Sequence, residues 1–305
     1  MWIVTPTYYD VPAFSELRRR IRDEIAAMNE LKDTRLQFVV VDDAAGRDTA
    51  IADVAEKDTE VVTPPFNLGH QRAIVYALRN KREQIDAADI VLTLDSDGED
   101  RPEDIPAMVR LLLGNDQPHV AVLARRTTRR ESFGFKVLYS CFKLMFRAVT
   151  GTVIRTGNFA AYRGEALRTI ASHPYFDLSY SASLTRLDFD TRYVDCPRGE
   201  RFAGRSQMGV QGLVMHGLSM LVPFTDRIAL RAMLLFTSVF FASILGALAV
   251  ISVKLFSDAD IPGWATYTLL AFLISSLVAL GNFVILFIVF SQSRGVSLSG
   301  LENRD

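Results

Sequence analysis

The densest chemistry in the chain is Asp95-Ser96-Asp97-Gly98-Glu99-Asp100. It ends the apolar run Ile90-Val91-Leu92-Thr93-Leu94, which reads as a strand covered on both faces. Several carboxylates at a strand's carboxyl end repel one another unless they share a cation, and a hard divalent ion answers that need. Asp95 and Asp97 alternate on an extended segment, Gly98 permits a turn, and Glu99 or Asp100 can swing back. Oxygen ligands of this kind suit Mg²⁺ or Mn²⁺, completed by substrate phosphates and water. The same residues would also serve as a solvated acidic turn before a helix at Pro102, whose first turn carries Glu103 and Asp104. The position behind a buried strand, and the motifs elsewhere, favour the metal.

The elements that must position these acids alternate. Trp2 to Thr5 reads as a strand stopped by Pro6, and 12–32 has helical apolar spacing in Phe14, Leu17, Ile21, Ile25 and Met28. Leu36 to Val41 is a second apolar strand ending in acids, Asp42-Asp43. A helix from about Asp48, a strand near Val61-Val62 and a helix from Gly69 to about Gln84 lead to the Ile90 strand. Such alternation means a parallel sheet with right-handed crossovers, an α/β layer of nucleotide-binding type that lacks GxGxxG and GxxxxGK[ST]. Asp43 could accept from a base N–H or ribose hydroxyl, or be a turn acid. Tyr8 and Tyr9 could stack on a base or pack at a strand end. Asn67 is placed as a helix cap, and His70 reads as a surface histidine.

Taken in order, Pro6-Thr7-Tyr8-Tyr9-Asp10, Val41-Asp42-Asp43, Asn67-Leu68-Gly69 and Asp95 to Asp100 resemble a family 2 glycosyltransferase of GT-A fold. More narrowly they resemble the polyprenyl-phosphate type, the group of dolichyl-phosphate mannose synthase and bacterial undecaprenyl-phosphate glucosyltransferases. The resemblance implies a nucleotide-sugar donor, UDP- or GDP-linked, held by Pro6, Tyr8, Asp10 and Asp43. It puts Asp95, Asp97 and Glu99 at the metal and diphosphate, with Asp97 and Glu99 holding the ion and Asp95 helping to orient the donor. Tyr9 departs from the asparagine common in the first motif.

After a helix and a strand from His119 to Leu123, the run Arg125-Arg126-Thr127-Thr128-Arg129-Arg130 enters an apolar segment, Phe133 to Val149. Its Lys136, Ser140, Lys143 and Arg147 fall on one helical stripe. Forked arginine donors suit a phosphate, and a helix of this kind can lie at a membrane surface; a solvated basic turn before a half-buried helix is the plainer reading. By resemblance, Arg126, Arg129, Ser132 and Lys136 match the acceptor-phosphate region. Asn158 stands where relatives carry an aspartate that is a candidate base. A phosphate monoester has its second pKa near 6, so a strong base is not required and Asn158 could orient the sugar. Leu187 to Asp195 reads as a strand with Leu187, Phe189 and Tyr193 on one face and Asp188, Asp190 and Arg192 on the other. Beyond it, Arg201 and Arg205 match basic residues that close over the donor diphosphate, with Gln207 where a lysine is common; a surface basic loop is the plainer alternative.

With 34 Lys and Arg against 35 Asp and Glu, the chain is not a generic polyanion binder, and no nucleic-acid partner is expected. Cys141 and Cys196 form no CxxC pattern and fit a reducing compartment. The opening residues lack the basic flank and long apolar core of a signal peptide. Charge nearly vanishes after Arg231. Met208 to Phe224 reads as an interfacial helix, and about 232–253 and about 266–290 each exceed the roughly 20 residues needed to cross a bilayer. Arg227, Arg231 and Arg294 flank these spans, while the connecting loop has Lys254 among acids, which places both termini and the catalytic domain in the cytoplasm.

The expected organisation is a Rossmann-like, mostly parallel GT-A domain over 1–206, an interfacial amphipathic helix over 207–227 and a transmembrane hairpin with a short tail over 228–305. The expected activity is transfer of one sugar, with inversion, to a polyprenyl phosphate at the cytoplasmic face of the inner or plasma membrane. The resemblance also suggests a homo-oligomer. Two rivals are a processive polysaccharide synthase, which would carry QxxRW and more spans, and a non-catalytic nucleotide-sugar-binding scaffold, favoured by Asn158, Tyr9 and Gln207.

Overall fold

The computed structural model describes residues 1–115, 117–127, 133–152, 156–173, 176–177, 179–186, 189–203, 217, 220–256 and 263–293. The chain divides into two compact units, one of 1–141 with 153–223 and one of 142–152 with 224–305.

The first unit is built on a seven-stranded sheet. Its strands are β1 (Trp2–Thr7), β2 (Gln37–Asp42), β3 (Thr59–Val62), β4 (Ile90–Thr93), β5 (Val120–Arg126), β6 (Thr156–Arg163) and β7 (Asp190–Cys196). They lie in the order β3-β2-β1-β4-β6-β5-β7. All are parallel except β6, which runs antiparallel to both β4 and β5. That strand was not expected, and it makes the sheet mixed although still mostly parallel.

Between the strands run α1 (Val11–Ala26), α2 (His70–Lys81), α3 (Ile105–Leu113), α4 (Phe133–Thr150), α5 (Gly164–Ser172) and α6 (Tyr180–Arg186). Helices cover both faces of the sheet, which is why the strands are apolar at consecutive positions. On one side Ile3, Phe38, Val40 and Leu92 pack with Phe14, Leu17 and Ile21 of α1 and Met108, Val109 and Leu112 of α3. On the other side Val4, Val39, Val41 and Val91 pack with Ile74 and Leu78 of α2, Leu167 and Ile170 of α5 and Tyr180 and Leu184 of α6. Each such buried side chain contributes roughly 1.5–3 kcal/mol relative to exposure.

Several expectations move. The helix expected from Asp48 is a 3₁₀ segment, Thr49–Val54, whose start Asp48 caps by accepting from Ala50 N at 3.2 Å. Helix α2 starts at His70 behind Gly69, whose φ of 77° favours glycine, and it ends at Lys81 rather than near Gln84. Asn67 is therefore not its cap; its side chain donates to Asp43 O at 2.9 Å instead. Strand β5 runs on to Arg126. Strand β7 starts at Asp190, and Leu187 and Asp188 lie outside the described residues. Tyr193, expected on an apolar face, is 46% exposed with the Arg125 guanidinium 6.0 Å over its ring, because β7 is an edge strand.

The second unit contains two long helices, α7 (Thr225–Phe256) and α8 (Trp264–Ser293), which extend beyond both expected spans. Each is long and apolar enough to cross a membrane by length and composition. At about 1.5 Å per residue either exceeds the roughly 30 Å of a hydrocarbon core. They pack along a seam that buries Ser243 and Val250 of α7 and Ala279 of α8. A Cβ on Gly246 would come within 2.4 Å of the Phe272 ring, so glycine is what lets the helices approach there. In the same unit Arg231 Nη1 donates to the Ala148 carbonyl at the end of α4, and Phe146 meets Phe224 edge-on at 5.6 Å. Of the expected interfacial helix, 208–216, 218 and 219 lie outside the described residues, and Val222–Phe224 forms a 3₁₀ turn.

Candidate active site

The topology explains the convergence of the site. Strands β1, β2, β4, β5 and β7 bring their carboxyl ends to one edge, and β6, running the other way, brings its amino end there. Asp43 follows β2, Asp95 to Asp100 follow β4, Arg126 ends β5, Asn158 opens β6, and Arg198 and Arg201 follow β7.

Asp95 is the hub. Its Oδ1 lies 2.6 Å from His70 Nε2 and accepts from Asn158 Nδ2 at 3.1 Å, while Oδ2 is 3.7 Å from Arg126 Nη2. Its backbone N–H donates to Asp100 Oδ2 at 3.1 Å, and the other oxygen of Asp100 takes Arg126 Nη2 at 2.8 Å. Burial alone would raise the Asp95 carboxyl. The charge and hydrogen bond of His70, then Arg126 and Asn158, outweigh it and hold the group well below the usual carboxylate range. For His70, burial opposes protonation, but Asp95 foremost and then Asp97 and Asp100 push the imidazole up to about 9. The ring is 42% exposed, so its ion pair is screened by solvent.

Asp97 and Glu99 face arginines. Arg201 Nη2 is 2.7 Å from Asp97 Oδ2, Arg201 Nε donates to Glu99 Oε1 at 3.2 Å, and Arg198 Nη2 reaches Glu99 Oε2 at 2.5 Å. The loop is bound closely at the backbone as well, with Phe202 N donating to Asp97 O and Gly199 N to Glu99 O, each at 2.9 Å. Gly98 has φ 88°, and a Cβ there would lie 2.7 Å from the Phe202 ring. Burial, then the Asp95 charge, raises the Asp97 carboxyl to about 6 in spite of Arg201. Burial and Asp95 also raise Asp100, and Arg126 is held firmly charged by Asp100 and Asp95.

Whether a divalent cation fits follows from this donor set. Among the described residues no three His, Cys, Asp or Glu side chains converge on one point. Mg²⁺, however, is commonly held by one or two carboxylates with substrate phosphates and water completing the shell. Asp97, with its carboxyl raised by burial and neighbouring negative charge, and Glu99 beside it fit that partial role.

The residues expected at a nucleotide are placed by the same sheet. Asp43 N donates to Thr7 O at 2.9 Å, and Asp43 Oδ1 accepts from Leu68 N at 2.8 Å. Burial raises this carboxyl, opposed by backbone donors and by His70. Asp42, by contrast, is the turn acid, accepting from Ala44 N at 3.1 Å and Gly46 N at 2.7 Å. Pro6 lies in β1 opposite Val41. Tyr8 and Tyr9 are both exposed and meet edge-on at 4.8 Å, Tyr9 with φ 51°. Asp10 precedes α1 without a side-chain cap bond. Burial raises its carboxyl, and the charge of Arg201 opposes that rise.

Asn158 is 7% exposed, and its Oδ1 has no partner among the described residues. Its backbone is fixed from below, since Thr93 Oγ1 donates to Asn158 O at 2.6 Å and lies 2.8 Å from Tyr180 OH, itself 3.1 Å from Tyr162 OH. The structure thus gathers Asp43, Asp95, Asp97, Glu99, Arg126, Asn158 and Arg201 at one edge. Arg129, Ser132 and Arg205 lie outside the described residues, as does the side chain of Lys136. His70 and Arg198 were not singled out as site residues from the sequence, and Asp100, named there as the alternative to Glu99 beside a cation, bonds instead to Asp95 N and Arg126. The one signal for His70 was its place directly behind Asn67-Leu68-Gly69, at a helix start facing the strand ends.

The family model described as glycosyl transferase family 2 matches residues 2–171, more than half of the chain. The chain belongs to glycosyl transferase family 2. Among curated proteins, this family 2 chain is 31% identical over 137 residues to the undecaprenyl-phosphate 4-deoxy-4-formamido-L-arabinose transferase of Pseudomonas syringae pv. syringae (strain B728a). It is 29% identical over the same length to the transferase of that name from Pseudomonas savastanoi pv. phaseolicola (strain 1448A / Race 6). Each match takes in 43% of this chain but 36% of the relative, so the likeness spans about a third of those proteins. A solved structure, glucosyl-3-phosphoglycerate synthase from Mycobacterium tuberculosis in complex with Mn²⁺, UDP-glucose and phosphoglyceric acid, superposes with a TM-score of 0.49 at 18% identity. That superposition covers 74% of this chain and 79% of the other.

Proposed function

We propose that this family 2 chain is a membrane-anchored, inverting glycosyltransferase that moves one sugar from a UDP- or GDP-linked donor to a polyprenyl phosphate at the cytoplasmic membrane face. The observation that carries the reading is the meeting, at one sheet edge, of the buried carboxyl of Asp43 with the acid and arginine cluster at Asp95 to Asp100. The curated relatives, named for transfer to undecaprenyl phosphate, support the acceptor class. The largely exposed apolar surface of α7 and α8, with 11% of each span's most apolar window buried, supports an anchor in lipid. The layout proposed is a transferase domain over 1–206, an interfacial segment over 207–227 and a hairpin over 228–305.

In this reading Asp43 accepts a base N–H, and Pro6, Tyr8 and Asp10 line the nucleotide end. Asp97 and Glu99 hold a divalent cation, Mg²⁺ or Mn²⁺, which would supply charge neutralisation to the departing nucleoside diphosphate. The electrostatics agree. The carboxylates of Asp95, Asp97, Glu99 and Asp100 face Arg126, Arg198, Arg201 and protonated His70, so the protein's own charges already balance. A sugar-linked diphosphate carries one charge on each phosphate, and a dication arriving with it preserves that balance. Arg198 and Arg201 then turn from the carboxylates to the diphosphate, joined by Arg205. Arg126, with Arg129, Ser132 and Lys136, takes the acceptor phosphate, whose oxygen is already ionised at neutral pH and attacks the anomeric carbon in line. Asn158 orients the sugar and is not a base.

The test is turnover by the full chain in lipid nanodiscs, with labelled UDP- and GDP-sugars, undecaprenyl phosphate and Mg²⁺ or Mn²⁺. The expected product is an organic-extractable lipid bearing one sugar. A long polymer would select the processive synthase. Donor binding without turnover, with cellular glycolipid unchanged in Asp97→Ala, would select the scaffold.

A further inference from the structure

Two observations at Asp95 are not used up by the transferase chemistry. His70 spends Nε2 on Asp95 Oδ1 at 2.6 Å, and among the described residues its Nδ1 has no partner, although the ring stands at the first turn of α2. A cationic imidazole there adds to the positive end of the helix, where anions are favoured. Independently, Asn158 spends Nδ2 on the same oxygen at 3.1 Å and leaves Oδ1 buried without a donor among the described residues, a state that is costly unless a ligand or water fills it. One carboxylate oxygen therefore fixes two neighbours, one presenting its second ring nitrogen, an N–H when the imidazole is charged, and the other an acceptor without a partner among the described residues.

Resting on the glycosyltransferase reading and extending it, we propose that His70 and Asn158 are a matched pair, hung on Asp95 Oδ1, that recognises the sugar phosphate of the donor. His70 donates through Nδ1 to an oxygen of the phosphate that bears the sugar, and Asn158 Oδ1 accepts from a sugar hydroxyl. A sugar phosphate offers these two complements side by side, an anionic acceptor and hydroxyl donors. Asp95 is then a positioning residue. Both of its oxygens face protein cations or donors, which leaves cation ligation to Asp97 and Glu99. The charged state of His70, favoured by Asp95, Asp97 and Asp100, suits a donor to phosphate rather than a proton acceptor.

The decisive measurement is calorimetric binding to the full chain in nanodiscs with Mg²⁺, using UMP, UDP and UDP-glucose and the matching series GMP, GDP and GDP-mannose. In whichever series binds, His70→Ala is expected to weaken the diphosphate about tenfold while leaving the monophosphate within about twofold. Asn158→Ala is expected to remove the gain in affinity that the sugar adds to the diphosphate. His70→Gln keeps a side-chain donor to Asp95 without the charge, so it should fold and melt only slightly below the wild type yet share the loss of diphosphate affinity; it carries the test if His70→Ala does not fold. In the wild type, the imidazole C2–H resonance assigned to His70 by its absence in His70→Gln, one of four histidines, should move with UDP or GDP and not with the monophosphate. Diphosphate affinity unchanged in both His70 variants, or mono- and diphosphate lost in equal measure, would overturn the pair while leaving the transferase reading intact. A wild type that binds none of the six ligands would overturn both.

Discussion

The strand-end site and the helical hairpin are stabilised in opposite ways. At the strand ends almost every side chain is specified by a partner of opposite charge. Asp95 is met by His70, Asn158 and Arg126, Asp97 by Arg201, and Glu99 by Arg198 and Arg201. In the hairpin the specification is a seam of small residues around Gly246 and Ser243, and the outward residues, such as Leu245 and Phe287, are apolar and exposed. The first region carries its solvent's function inside the protein, as fixed charges. The second leaves its surface to be satisfied by an apolar environment. Substitutions in the first should therefore change chemistry with little effect on where the protein resides, and substitutions in the second the reverse.

The sharpest way to break that contrast is Asp97→Asn. Transfer should fall about 10³-fold, as for loss of one preorganised electrostatic contact in a water-excluded site, with membrane extraction behaviour unchanged. A change in extraction without loss of turnover would dissolve the distinction. Next comes Leu245→Arg on the exposed face of α7, which places a charge near the middle of the expected span at a cost of about 2.5–3.5 kcal/mol. Alkaline carbonate extraction should release much of this variant, whereas nucleotide binding in the detergent-purified protein should match the wild type. Gly98→Ala meets both a φ of 88° and the Phe202 ring, so we expect a loss of about 1–3 kcal/mol in stability and a weakened diphosphate affinity, read by thermal melting and calorimetry.

The smallest effect is one of pH. The folded pKa of His70 is raised to about 9, while the unfolded value is about 6.5. Its contribution to stability is therefore fully present below about pH 6.5 and is lost as pH rises through about 9. The melting temperature of the wild type should exceed that of His70→Gln by a small margin, narrowed by solvent screening, that shrinks between about pH 6.5 and about pH 9.5. A margin that stays constant or grows over that range would show that the ion pair with Asp95 is absent.

Much of the first unit was legible because burial on both sheet faces leaves a local imprint. Ile90 to Leu94 and Leu36 to Val41 are apolar almost throughout, without alternation, and acids stand where each run stops. Strand β6 was harder to read. Its Thr156 to Arg163 mixes small and polar residues, and its antiparallel insertion between β4 and β5 is a long-range pairing that no local period records. The two long helices were the most legible of all, since an uninterrupted apolar stretch of such length leaves the chain little choice but a helix of membrane-spanning size.

What the chain's residues determined by themselves was which residue types stand where: carboxylates at strand ends, arginines further on, and two apolar helices long enough to cross a membrane. These are properties of composition and short-range spacing, which survive in one dimension. Which arginine meets which carboxylate, that His70 and Asn158 share one oxygen of Asp95, and that Asn67 serves Asp43 rather than a helix end were decided only by the tertiary structure. Those partners come from separate elements, far apart along the chain, and their meeting depends on strand order and on the reversed direction of β6, which only the assembled sheet defines.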